Sequence, residues 1–354
     1  MKKEMSIIEA KHEAQKIAFA PLFFQAMLAL KKLGVLKLMA QSNRAITVGE
    51  LAEKTGISVY GVQVLLEAAA SADVVEYLDE QTVRLTKVGY ILHLDRMTEV
   101  NMDFVNDVCY DGAKFLTESV RNGKPEGLKT LGSWNTIYEG LSQLPDQVKK
   151  SWFDFDHFYS DDAFPAALDI VFKENPAVIF DIGGNTGKWA FACCRYNPEV
   201  RVEIFDLPGQ LAVAKSNAEA LGFQHRIGFQ AIDLLDQSQQ IPEGADAIWM
   251  SQFLDCFSEP EILAILKNAR RAASNQTFIY ILEPFIDNQK FEAANYCLTG
   301  TSLYFTIMAN GNSKMYTTGA MIRLVEAAGL RVTEVFPLIG DSYHTILKCA
   351  IARP

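Results

Sequence analysis

The sequence has no surplus of positive charge. Its 33 lysines and arginines are outnumbered by 43 aspartates and glutamates, which gives a net charge of −10. Proteins that bind nucleic acids or anionic membranes carry a surplus of cations at the interface, so both kinds of partner are disfavoured. Disorder is disfavoured as well, because 49% of the residues are apolar.

Metal-binding patterns and targeting segments are also missing. The six cysteines form no Cys-x-x-Cys pair and show no metal-type spacing to the five histidines, so we predict no metal site and free thiols in a reducing cytoplasm. The apolar run at residues 18–30 is too short to cross a bilayer, and it contains Pro21 and Gln25. Charged residues before this run interrupt any signal-peptide core. We therefore expect a cytoplasmic protein.

The first hundred residues predict helices followed by a hairpin. Residues 5–39 are apolar on more than one helical side, as in a helix buried against another domain or subunit. Two short helices follow, one closed by Gly56 and the other running from Ser58 to Ser71, and residues 74–86 have the pattern of a hairpin. This order is typical of a winged-helix domain.

A winged helix serves either DNA binding or dimerisation. The helix that would read DNA, residues 59–70, contains no lysine or arginine and so lacks the groups that neutralise phosphates. We therefore favour a dimerisation domain over residues 1–100 and keep a winged-helix regulatory protein as the alternative.

Residues 101–165 predict a helical segment that glycines and prolines interrupt. Its densest feature is an aromatic run from Trp152 to Tyr159. Such a run either bridges two domains or forms an apolar wall for a flat organic substrate, because pockets favour aromatic side chains and domain boundaries. Phe155, His157 and Phe158 are the pocket candidates within it, and His157 is also a candidate substitute base.

Residues 166–354 alternate apolar runs with helical patterns, which is typical of an α/β domain with a mainly parallel sheet. Residues 331–338 and 343–350 predict a final antiparallel hairpin. Near the start of this domain, a buried strand at residues 177–180 leads into a turn with Asp181 and three glycines. A strand, a glycine turn and a helix together predict a nucleotide cofactor.

Two cofactors compete for this turn. A nicotinamide site needs Gly-x-Gly-x-x-Gly, and Ile182 occupies the place of the first glycine, so that fingerprint fails. Asp206 follows the second strand and could accept bonds from ribose hydroxyls, while Asp233 follows the third and could accept from an adenine amino group. The pattern of Asp181, Gly183 and Gly184 resembles the S-adenosylmethionine loop instead.

The segments 181–187, 205–208 and 245–250 resemble the plant-type small-molecule O-methyltransferases. That family includes the caffeic-acid, isoflavone and hydroxyindole enzymes and bacterial relatives, and the resemblance covers nearly the whole chain. It implies a class I methyltransferase sheet with a Rossmann-like order, S-adenosylmethionine as cofactor, and an intertwined homodimer whose helical middle segment closes the substrate pocket. The cofactor residues so implied are Gly183, Gly184, Asp206, Leu207, Asp233, Leu234 and Ser251.

The chain departs from this family at the catalytic base. Asp255 stands where the family has its histidine; Glu283 matches the first flanking glutamate, whereas Met315 replaces the second. A phenol near pKa 10 loses its proton to histidine across roughly 3.5 units but to an ordinary aspartate across roughly 6, so the change adds roughly 3 kcal/mol. Burial would raise the pKa of Asp255 and narrow this gap.

The sequence thus predicts an S-adenosylmethionine-dependent methyltransferase for a small aromatic, enolic or carboxylic metabolite. Asp255 and Glu283 are its catalytic candidates, and Met315 joins the pocket candidates. One alternative keeps the fold and the bound cofactor but performs no methylation or no chemistry at all. We place the methyltransferase domain at residues 166–354, after the helical segment at 101–165.

Overall fold

The computed structural model describes residues 5–352, except for the side chain of residue 160. The described chain forms two compact units, the first ending at Asp103 and the second beginning at Phe104. The outer ends of the predicted domains, at residues 1 and 354, lie outside the described residues. Most of the segment predicted at 101–165 belongs to the larger unit, and its boundary at residue 165 stays a prediction.

The first unit has the helices and the small sheet that the sequence predicts. Its strands pair in the order β1-β3-β2, and both pairings are antiparallel. Side-chain caps start several helices: Ser6 forms a capping box with Glu9, and Ser58 accepts the backbone N–H of Gly61. The elements are α1 (Ile7–Lys32), α2 (Val35–Ser42), β1 (Ile46–Thr47), α3 (Val48–Thr55), α4 (Val59–Ser71), β2 (Val75–Tyr77), β3 (Thr82–Leu85), α5 (Lys87–Leu94) and α6 (Arg96–Phe104).

Helix α1 leaves large apolar side chains uncovered. Ile7, Ile8 and Ile17 are more than three-quarters exposed, and Leu22 is 67% exposed. Within the described residues no single helix is long and apolar enough to cross a membrane, although α1 and α2 pass that test together across a 62° bend.

The larger unit begins with short helices and continues as a seven-stranded sheet. The helices before the sheet are α7 (Leu116–Asn122), α8 (Ile137–Gly140), α9 (Asp146–Ser160) and α10 (Phe164–Val171). The strands are β4 (Val178–Ile182), β5 (Arg201–Asp206), β6 (Ile227–Ala231), β7 (Ala247–Ser251), β8 (Phe278–Glu283), β9 (Leu330–Ile339) and β10 (His344–Ile351). The helices among them are α11 (Lys188–Tyr196), α12 (Pro208–Leu221), α13 (Glu259–Ala272), α14 (Glu292–Tyr304) and α15 (Thr318–Ala327).

The described strands of the large sheet pair in the order β6-β5-β4-β7-β8-β10-β9. The first five are parallel, whereas β10 is antiparallel to both of its neighbours, which confirms the predicted parallel sheet and its final hairpin. One detail of the prediction was wrong: Glu283 does not follow the fifth strand but is the last residue of β8, opposite Thr345. It is held there because the antiparallel ladder with β10 extends through that residue.

Alternate residues of each central strand pack on opposite faces of the sheet. Phe180 and Ile182 contact the core under α13 and α15, whereas Ile179 and Trp249 contact the core under α10, α11 and α12. Both faces are therefore covered, as in a doubly wound sheet. The strand order reverses between β4 and β7, and such a switch point leaves a crevice at the carboxyl ends of the strands.

Candidate cofactor and substrate site

The glycine turn after β4 is shaped for close approach of a ligand. Gly183 has a φ of +72°, and its N–H donates to the Phe205 carbonyl at 2.8 Å. A Cβ at Gly183 would lie 2.2 Å from the Phe253 ring, and one at Gly184 would lie 2.7 Å from Asp181 Oδ2. Only glycine fits these two positions without moving a neighbour.

A cavity of about 460 Å³ opens at the carboxyl ends of β4, β5 and β7. It contains a region beside Asp206 and a region of aromatic rings that includes Trp152, Phe155 and Tyr304. Eight of the predicted site residues line it: Gly183, Asp206, Leu207, Asp233, Leu234, Phe155, Asp255 and Met315.

A second cavity, of about 70 Å³, lies beside the glycine turn. Predicted residues Gly184, Ser251 and His157 line it. Buried polar atoms that have no hydrogen-bond partner among the described residues are concentrated in its wall. The donors are Trp189 Nε1, Trp249 Nε1 and Ser251 Oγ, and the acceptors are Asp181 Oδ2, Asn185 Oδ1 and Gln252 Oε1.

Asp206 is prepared to accept further hydrogen bonds. Its two carboxylate oxygens accept the backbone N–H groups of Asn185 at 2.8 Å and Leu207 at 2.7 Å, and each oxygen keeps a lone pair. Burial raises the pKa of Asp206 to about 6 despite these bonds. Asp233 is exposed, and its Oδ1 accepts the N–H of Leu235 at 2.9 Å.

The two catalytic candidates form a buried pair. Asp255 lies in a single turn after β7 and is 4% exposed, while Glu283 is 2% exposed. Glu283 Oε1 accepts the N–H groups of Phe253 at 3.2 Å and Leu254 at 2.9 Å. Glu283 lines neither cavity, so its effect on a bound ligand would pass through Asp255.

The pKa values of both groups are raised. Burial raises the pKa of Asp255 to about 6, and hydrogen bonds from Cys256 limit this rise more than the interaction with Glu283 does. Burial and the charge of Asp255 raise the pKa of Glu283 well above its usual range. Glu283 Oε2 has no hydrogen-bond partner among the described residues. Of the two groups, Glu283 is therefore the one that stays protonated at neutral pH.

The predicted aromatic residues have different environments. Phe155 stacks on Phe104 at 4.0 Å and faces the large cavity. Burial and the nearby Lys188 lower the pKa of His157 to about 4, so its imidazole is neutral at pH 7. Phe158 lines neither cavity, and its ring packs edge-on against Tyr159.

Several site residues were not foreseen from the sequence. Asn185 lies inside the glycine turn and Trp249 inside the strand motif 245–250, so their positions in segments predicted to bind the cofactor could have indicated them. Asp156 lines both cavities, and only its place within the aromatic run hints at this. Tyr138 comes from a distant part of the chain that carries no recognisable pattern. No group of three or more metal-ligating side chains occurs among the described residues.

Two family models match the chain. One, the Dimerisation2-like domain, matches residues 11–82, and the other, the O-methyltransferase domain, matches residues 159–331. The chain therefore contains an O-methyltransferase domain. This match confirms the resemblance found in the sequence, together with S-adenosylmethionine as the cofactor.

Individual relatives agree with this result. The O-methyltransferase SfmM3 of Streptomyces lavendulae is 24% identical over 91% of this chain and 95% of its own length. The acetylserotonin O-methyltransferase of Gallus gallus is also 24% identical, over 91% of this chain and 92% of its own. The solved structure of the mitomycin 7-O-methyltransferase MmcR has a TM-score of 0.73 at 20% identity, covering 97% of this chain and 98% of that one.

The described residues fit S-adenosylmethionine. Its amino-acid end carries a carboxylate and an ammonium group, which need donors and acceptors close together. The small cavity offers both kinds as buried atoms that lack partners, and such atoms are rare in a folded protein unless a ligand or water satisfies them.

Proposed function

We propose that this methyltransferase methylates an oxygen of a small aromatic molecule that binds in the large cavity, with Asp255 as the general base. The observation that carries the proposal is the buried pair of Asp255 and Glu283, because it places a carboxylate of raised pKa on the cavity wall. The curated relatives include O-methyltransferases whose names specify aromatic substrates, among them acetylserotonin and 3-amino-4-hydroxybenzoate.

Burial makes Asp255 a usable base for a phenol. With a pKa of about 6, Asp255 differs from a phenol of pKa about 10 by roughly 4 pKa units. For an exposed aspartate the difference would be roughly 6 units, so proton transfer from the phenol would be more unfavourable. The difference of about 2 units is worth roughly 3 kcal/mol, which offsets most of the loss of the family's histidine. Asp255 is also ionised at neutral pH, as a base must be.

Glu283 would be a positioning residue in this proposal. Its Oε1 is fixed by the two backbone N–H groups, and its protonated carboxyl group would lower the pKa of Asp255 through a side-chain hydrogen bond. As Asp255 gains the substrate proton, the shared hydrogen bond must rearrange, so the pair titrates as a unit.

The cofactor would be held by residues of both cavities. Asp206 would accept the ribose hydroxyls, and the partnerless atoms of Trp189, Trp249, Ser251 and Asp181 would bind the amino-acid end. When bound, S-adenosylmethionine supplies a methyl group activated by a sulfonium. The aromatic wall of Trp152, Phe155 and Tyr304 would orient a flat substrate and exclude water.

We also propose a cytoplasmic homodimer. The matched Dimerisation2-like domain includes most of α1, whose Ile17 and Leu22 are left exposed in a single chain. Burying such side chains against a second copy would be favourable. None of the six cysteines, all of which lie within the described residues, forms a disulfide, and this suits a reducing compartment.

The experiment that tests the function has two steps. Calorimetry with S-adenosylhomocysteine first establishes that the cofactor site binds. A panel of phenols is then incubated with a methyl-labelled cofactor, and we expect label on a phenolic oxygen in the product. Binding without any labelled product would favour the non-methylating alternative, and lack of binding would refute the proposal.

A further inference from the structure

The large cavity carries negative charge without a balancing cation. Its wall contains the carboxyl groups of Asp156, Asp255, Glu139 and Glu261, in addition to Asp206 and Asp233. Among the described residues that line this cavity there is no lysine, arginine or histidine.

The buried carboxyl groups lack cationic partners in their immediate surroundings. Among the described residues, Asp255 accepts a hydrogen bond from the weak thiol donor of Cys256, at 3.5 Å. Asp156 Oδ2 lies 3.5 Å from Asn185 Nδ2 and 3.7 Å from the neutral His157. The ammonium of Lys188 pairs with Asp161, and its charge lowers the pKa of Asp156 less than burial, Asp255 and Asp161 raise it.

The pKa of Asp156 is raised, as expected for a buried carboxyl group that has no close cationic partner among the described residues. Burial raises its pKa to about 7, and the charge of Asp255 is the next cause of the rise. A cation placed between the two carboxylates would remove part of this penalty, whereas an anion would add to it. S-adenosylmethionine brings a sulfonium and an ammonium group against one carboxylate, a net single positive charge, which does not balance Asp156 and the Asp255–Glu283 pair together.

The aromatic wall strengthens the same preference. Trp152, Phe155 and Tyr304 lie around the cavity, and the faces of such rings attract cations. An anionic group would therefore meet negative charge from both the carboxylates and the ring faces.

We propose that the substrate is an aromatic hydroxy compound that also carries a protonated basic nitrogen, and that Asp156 is the counter-ion of this nitrogen. This inference rests on the proposed function, and it narrows the substrate class to amines. Aromatic carboxylates, which the sequence left open, would be poor substrates.

Three probes that share a phenol ring test the inference. Tyramine carries an ammonium group, N-acetyltyramine is neutral, and 3-(4-hydroxyphenyl)propionate is an anion. Their dissociation constants are measured by calorimetry on protein saturated with S-adenosylhomocysteine. We expect tyramine to bind about 10-fold more tightly than the neutral probe and the propionate to bind most weakly, since a hydrogen-bonded buried charge pair has this strength.

Variants identify the residue responsible. In Asp156→Asn the preference for tyramine over N-acetyltyramine should fall to about twofold or less, while the affinity for N-acetyltyramine is kept. Asp156→Glu should restore part of the preference. Asp154→Asn is the matched control, because Asp154 lies on the same helix, pairs with Lys150 and lines neither cavity.

The outcomes separate the two proposals. Propionate binding as tightly as tyramine, a preference unchanged in Asp156→Asn, or no binding of any probe would overturn the inference while the methyltransferase function stood. Failure of S-adenosylhomocysteine to bind the wild-type protein would overturn both.

Discussion

Replacing Asp255 by asparagine tests the assignment of the base. Asparagine keeps the shape of the side chain but cannot accept the substrate proton at neutral pH. General-base catalysis contributes about 10²- to 10⁴-fold, so we expect kcat to fall by about that factor. Among the described residues, Asp255 makes no hydrogen bond to the glycine turn. The affinity for S-adenosylhomocysteine should therefore change by no more than about twofold.

The pH profile makes this prediction sharper. The pKa of Asp255 is raised to about 6, so the wild-type rate should fall as the pH drops below about 6 and the carboxylate becomes protonated. This acid limb should be absent in Asp255→Asn.

Steady-state rates of label transfer from methyl-labelled cofactor, measured between about pH 5 and 9, provide the assay. Calorimetric binding of S-adenosylhomocysteine shows that each variant is folded. If Asp255→Asn kept kcat within about threefold and retained the same acid limb, Asp255 would not be the base.

Three further predictions concern the cofactor site. Trp249→Phe should weaken S-adenosylhomocysteine about 10-fold by calorimetry but leave 5′-methylthioadenosine, which lacks the amino-acid end, unchanged; equal loss for both would contradict the assignment. Gly183→Ala should abolish measurable cofactor binding because its Cβ meets the Phe253 ring at 2.2 Å, whereas Gly209→Ala, whose Cβ has no neighbour closer than 4.0 Å, should be neutral. Burial and the charge of Asp206 raise the pKa of Asp181 to about 8. The unliganded protein therefore loses stability as the pH rises above about 4, because the unfolded chain releases this proton more readily than the folded one. Asp181→Asn should therefore raise the melting temperature at about pH 8 and have little effect near pH 4; equal effects at both would refute this.

The fold could be predicted because its sequence patterns are local. Apolar strands such as 178–182 alternate with helices, and a glycine turn with two positive-φ glycines marks the ligand edge of the sheet. The final antiparallel hairpin could be predicted because the turn at Gly340 between its two strands is too short for a crossover helix.

The site could be predicted only where it lies at strand ends. Asp206 ends β5, and Asp233 and Asp255 lie within four residues of the ends of β6 and β7, so the sheet brings all three to one edge. Asp156 and Tyr138 come from helices of the segment before the sheet, and their approach to the cavity depends on how those helices pack. The indole N–H groups of Trp189 and Trp249 have no hydrogen-bond partner among the described residues, and the two rings stack at 4.0 Å in the core. This arrangement also depends on packing and could not be predicted from the sequence.

The sequence predicts that the pKa of Asp255 is raised, but it does not predict by how much. Its neighbours Cys256 and Phe257 are apolar or weakly polar, which predicts burial, but the proximity of Glu283 depends on how the turn after β7 packs against the end of β8. That proximity determines how the pKa values of the two groups influence each other.

The account is tested most directly by titrating the side-chain carboxyl carbon of Asp255. Selectively ¹³C-labelled aspartate allows its NMR signal to be followed with pH and assigned by its absence in Asp255→Asn. We predict a midpoint at about 6, with a second change at higher pH as Glu283 loses its proton. A single midpoint near the ordinary value of 3.8 would show an isolated, solvated aspartate and would contradict the proposed base.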